Sequence, residues 1–128
     1  MAQPIERDRS GGERPSPEGP GSHPSRRSPI DLVHLARQTA GDTQLETEVL
    51  GLLVIQIERV RPVIEAATEA ERRRLAHALK GACRNLGAFR LADAAEGLEL
   101  APSEPAAMAE LLAELERTGR FARGLVAR

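Results

Sequence analysis

His77 is followed three positions later by Lys80 and then directly by Gly81. Residues three and four apart share a helix face, so on a helix these groups would meet the same visitor. Lys80 is the only lysine among 18 basic side chains, and it sets a compact, mobile ammonium where the chain otherwise uses the planar fork of arginine. Neutral imidazole is a good nitrogen nucleophile near neutral pH. A phosphoryl group moving onto its Nε2 spreads negative charge over three oxygens, and one nearby ammonium is the least a protein must supply to stabilise it.

A helical wheel at about 100° per residue tests the geometry. With His77 at zero, Arg73, Lys80, Gly81 and Arg84 fall within roughly 60° of it, while Leu75, Leu79, Ala82 and Leu86 gather on the opposite side. The imidazole therefore points outward, either as a solvated side chain or as a working one. Gly81 favours the second, because an interior helical glycine costs about 1 kcal/mol relative to alanine. Its missing Cβ opens space for another molecule beside the imidazole. A second helical glycine, Gly51, has no such neighbour and is expected to allow close helix packing.

A nucleophilic Nε2 needs its proton on Nδ1, which a carboxylate or amide would hold there. A helical hairpin turning near Gly87 and Ala88 brings His77 to about the height of Leu98. Glu99 and Glu96 are the candidates, with Glu99 preferred; either could equally be an ordinary surface charge.

The elements that must position these groups read as helices. Ala, Leu, Glu and Arg dominate, and the aromatics are Phe89 and Phe121 alone. Residues 1–28 hold most of the prolines and almost no large apolar side chain, and are expected to be disordered. His23 lies inside that tail with no partner near it in sequence. Ser28 is expected to cap a short helix over 29–39, with Pro29 at its first position and Gly41 at its end. Asp42 should cap a second helix over 43–67, whose stripe is Leu45, Val49, Leu52, Leu53, Ile57, Val60, Val63 and Ile64; Pro62 demands a kink or a break near Glu58 to Arg61, with the kink preferred.

Thr68 and Glu71 form a capping-box pattern that opens the His77 helix, and Gly87 should close it. A fourth helix over 88–100 turns Leu91, Ala94, Ala95 and Leu98 inward. A fifth, capped by Ser103, carries Met108, Leu111, Leu112, Leu115 and Ala122. The expected fold is all-α: residues 29–128 as an antiparallel four-helix bundle preceded by a short helix and the tail.

Composition narrows the function further. The net charge is −1 with acids spread among the arginines, which argues against a nucleic-acid partner. A single cysteine, Cys83, fits a reducing interior and reads as a packing residue at the edge of the core. The most apolar run, Val49 to Ile57, is too short to span a bilayer, and no hydrophobic signal core opens the chain. A soluble, cytoplasmic, monomeric protein is expected. No metal-ligand spacing is present, and His34, far in sequence from His77, reads as packing or surface.

The run His77-Ala78-Leu79-Lys80-Gly81-Ala82-Cys83-Arg84-Asn85-Leu86-Gly87-Ala88 resembles the signature of histidine-containing phosphotransfer (HPt) domains. The likeness continues through Leu91-Ala92 to Leu98-Glu99 and covers roughly residues 30–120. It implies a four-helix bundle that carries a phosphoryl group between receiver-domain aspartates in a multistep His-Asp relay fed by a hybrid histidine kinase. By position, His77 would be the phosphoacceptor, Lys80 would stabilise phosphate, Gly81 would admit the receiver, and Glu99 would match the residue that holds Nδ1. Arg73 and Arg84 would complement the receiver's acidic, Mg²⁺-binding pocket, and the chain itself would need neither metal nor ATP. Members often carry a small or hydroxyl residue after the glycine, where this chain has Ala82 and Cys83. A histidine-kinase dimerisation module fits less well, since Ala78 rather than an acid follows His77 and no proline follows before Pro102. A bundle that docks without phosphotransfer is the alternative, and it predicts that His77→Gln leaves receiver binding and cellular function intact.

Overall fold

The computed structural model describes residues 24–127. Among them are five helices and no strand: α1 (Leu32–Gln38), α2 (Thr43–Val60), α3 (Glu69–Leu86), α4 (Phe89–Leu100) and α5 (Pro105–Val126). The expected tail lies almost wholly outside the described residues, and so does His23. The last residues assigned to it nevertheless make defined contacts. The Ser25 amide donates to Asp31, and Arg26 pairs with Asp93 of α4 while lying over the Phe89 ring.

Helix α1 starts later than its sequence suggested. Asp31, not Ser28, is its N-cap: the carboxylate accepts from the Val33 and His34 amides, whereas the Ser28 hydroxyl donates to the Ile30 carbonyl. A carboxylate facing two amides at a helix start is also favoured by the helix dipole. Thr39 ends α1, and Ala40 and Gly41 follow in left-handed conformation before Asp42 caps α2 as expected.

Helix α2 breaks rather than kinks. It ends at Val60, and residues 61–66 form turns. Pro62 has no amide proton to return to Glu58, and its ring crowds that carbonyl. Arg72 then replaces the lost order with its fork, donating to the carbonyls of Ile64 (3.1 Å), Glu65 and Pro102 (2.7 Å). One guanidinium thereby fastens both loops at this end of the bundle, a task the single ammonium of a lysine performs less well.

The core is continuous. It takes Leu50, Leu53, Ile57 and Val60 from α2, and Ala76, Leu79 and Cys83 from α3. Helices α4 and α5 add Leu91, Ala95, Leu98, Leu111 and Leu115, among others. Helix α3 packs most extensively on α4, and α5 lies against both α2 and α4. Of the expected α2 stripe, Leu45, Leu52 and Val63 are exposed instead, and Leu50 is buried in their stead. A methyl group at Gly51 would touch nothing, so that glycine serves no close packing. Cys83 sits fully inside the core rather than at its edge, and burial pushes its thiol up to about 12.

The start of α5 also departs from the sequence reading. Helix α5 has Glu104 at its N-cap position with no side-chain cap bond and Pro105 in its first turn, while Ser103 donates its hydroxyl to Glu69 of α3. Glu114 is buried on α5 and is matched by Arg117 at 2.7 Å and by Arg90 of α4 at 3.4 Å. No helix among the described residues is long and apolar enough to cross a membrane.

Candidate functional site

Helix α3 delivers the imidazole because both of its ends are locally secured. Thr68 and Glu71 close the capping box, each side chain bonding the other's backbone amide. At the far end Gly87 takes φ +97°, a conformation open to glycine at little cost. Its carbonyl accepts from the Asp31 amide at 2.8 Å, which docks the start of α1 on the α3–α4 turn. His34 braces the same joint: its Nε2 donates to the Asn85 carbonyl at 3.0 Å, and its ring meets Phe89 edge-on at 5.0 Å. His34 is thus a packing residue, as its sequence context suggested.

The side chain of His77 is 70% exposed. Its Nδ1 lies 2.8 Å from Oε2 of Glu99 on α4. A carboxylate only accepts, so Nδ1 must carry the proton, and neutral imidazole then keeps its lone pair on Nε2. The other oxygen of Glu99, Oε1, faces the Lys80 ammonium at 2.7 Å. Lys80 is only 17% exposed, so it is not the solvent-face residue that the wheel suggested. The Lys80 ammonium first and the His77 ring second hold the Glu99 carboxyl below the usual carboxylate range. Its contribution to stability is complete above the ordinary glutamate pKa of about 4.3 and is lost as pH falls through the lowered folded value.

One turn further along, Arg84 pairs with Glu96 at 2.7 Å, so Glu96 is not the partner of His77. Arg73 is exposed and, among the described residues, engages no carboxylate. Gly81 is exposed, and a Cβ built there meets nothing within 4 Å. The fold does not require a glycine at that position.

The arrangement sets a nucleophilic nitrogen at the surface, with its tautomer fixed from behind, an ammonium one turn away and open ground beside it. Sequence reasoning had each of these residues but not the Lys80–Glu99 contact.

Residues 43–120, from the start of α2 through most of α5, match the family model described as the Hpt domain. No curated protein and no solved structure matches the chain. The chain belongs to the Hpt domain family. Hpt domains are histidine phosphotransfer modules of phosphorelays, phosphocarriers rather than kinases, and they work with receiver domains and histidine kinases.

Proposed function

We propose that this protein is the phosphocarrier of a multistep His-Asp relay, taking a phosphoryl group onto His77 from one receiver aspartate and passing it to another. The observation that carries the reading is the 2.8 Å contact between Nδ1 of His77 and Glu99, with the rest of the ring left in solvent. The Nε2 lone pair attacks the phosphorus of the acyl phosphate, an N–P bond forms, and the aspartate carboxylate leaves with the electron pair of the broken P–O bond. The ring gains positive charge and keeps its Nδ1 proton against the carboxylate of Glu99, which stabilises that charge. Donation is the reverse at the next receiver. The four long helices serve as the antiparallel bundle of the family, and Mg²⁺ belongs to the receiver's acidic pocket, which Arg73 and Arg84 complement.

Lys80 steadies the phosphoryl oxygens in transit. In Lys80→Ala the transfer rate should fall on the order of tenfold or more, while stability changes by less than about 1 kcal/mol, because the residue forms one partly exposed pair. Stopped transfer assays and thermal unfolding check the two halves of that expectation.

The reading is tested by mixing the purified protein with phosphorylated receivers and following label. Acid-labile label should appear on the wild type and be absent from His77→Gln. Receivers that bind without passing label, with binding and cellular function intact in His77→Gln, would make the chain a docking module instead.

A further inference from the structure

One carboxylate serves both groups that would handle the phosphoryl. Oε2 of Glu99 holds the imidazole and Oε1 holds the ammonium of Lys80, each within 2.8 Å. The two jobs differ in consequence. Holding Nδ1 prepares the nucleophile, whereas holding Lys80 keeps its charge away from the place where a phosphoryl would sit, beyond Nε2 on the opposite edge of the ring. Lys80 is also mostly covered in this position, while His77 is open.

Resting on the phosphocarrier reading above, we infer that Glu99 is a positioning residue that clamps Lys80, so that a phosphoryl group on His77 has to draw the ammonium away from a carboxylate. The clamp makes the phosphohistidine less stable than the same site with a neutral hydrogen-bond acceptor, and so tilts this carrier toward donation. Two features support the competition. The Lys80–Glu99 pair is partly exposed rather than sealed in the core, so a phosphoryl dianion arriving from solvent can compete for the ammonium. The lysine stem is flexible enough to turn about its own base toward Nε2. The other charged groups around the imidazole do not substitute for Lys80. Arg84 is tied to Glu96, and Arg73 lies a turn away on the side opposite to Lys80 along the helix.

Glu99→Gln separates the two jobs. An amide oxygen still accepts from Nδ1, whereas a neutral amide releases the ammonium. Removing the carboxylate charge alone also favours a phosphoryl dianion, so the discriminating comparison is a cycle with Lys80→Ala. Each of the wild type, Glu99→Gln, Lys80→Ala and the double variant is phosphorylated with phosphoramidate: Nε2 bonds to phosphorus, the P–N bond of the donor breaks, and ammonia leaves with its electron pair. The second ionisation of the phosphohistidine is then read from the pH dependence of its ³¹P shift.

Glu99→Gln should lower that ionisation by about half a pH unit when Lys80 is present, and by clearly less in the Lys80→Ala background. Equal shifts in both backgrounds would overturn the clamp, since the carboxylate would then act by charge alone. No shift in either would overturn it as well. Failure of the phosphocarrier reading looks different: no phosphohistidine forms on the wild type with phosphoramidate, or one forms on His77 that no receiver can supply.

Discussion

Gly87→Ala is expected to destabilise the protein by about 3 kcal/mol, lowering its melting temperature by roughly 10 °C or more. Two penalties combine at this position. An L-residue at φ +97° sits in left-handed conformation, and the added Cβ would lie 2.9 Å from the carbonyl oxygen of Asp31 and 3.2 Å from the ring of His34. Neither neighbour yields freely. The Asp31 backbone is anchored by the hydrogen bond its amide donates to the Gly87 carbonyl, and His34 by the one it donates to the Asn85 carbonyl. The substitution therefore loosens the joint between α1 and the α3–α4 turn as well as the helix end. Thermal unfolding of Gly87→Asn separates the penalties, since asparagine tolerates left-handed conformation but still brings the Cβ; it should recover only part of the loss. An unchanged melting temperature in Gly87→Ala would contradict the packing described at this turn.

Gly81→Gln should act in the opposite sense on stability and far more strongly on transfer. No atom lies within 4 Å of a Cβ at this position, so replacing glycine by a good helix former stabilises α3 by up to about 1 kcal/mol. The new side chain nevertheless occupies the ground beside His77 that, on the proposed function, a receiver covers. Transfer from a phosphorylated receiver should fall by about tenfold or more, since small misplacements of reacting groups are expensive in rate. Labelling of His77 by phosphoramidate, a donor of a few atoms, should change by less than about twofold. A variant that is more stable, open to the small donor and closed to the protein donor would place the receiver on this face. Undiminished receiver transfer would remove Gly81 from the docking surface.

The α3 helix was readable because its instructions are local. The capping box, the amphipathic period and the terminal glycine all fall within the helix itself, and the length of the hairpin narrowed the partner of His77 to Glu99 or Glu96, with Glu99 preferred. What lay beyond local pattern depended on distant partners. Arg72 reaches three carbonyls in two loops and stabilises the break after Val60, so the apolar residues past Pro62 looked like more helix from sequence alone. Glu114 is buried between Arg117 of its own helix and Arg90, which arrives from α4. The outward turn of Leu45 and Leu52 reflects which faces of α2 meet α5 and α3, a matter of packing rather than period. The same holds at the site: His77, Lys80 and Gly81 share a helix face by spacing, but the shared carboxylate depends on side-chain reach between helices.

On the proposed function, Nε2 of His77 carries the phosphoryl group while Glu99 retains the proton on Nδ1. Combined ³¹P and ¹⁵N NMR of the protein, isotopically labelled in histidine and phosphorylated by a receiver, tests it most directly. The account predicts a single phosphorus coupled to Nε2 of His77, with Nδ1 still protonated. Phosphorus coupled to Nδ1, phosphorus on another residue, or none at all would contradict it.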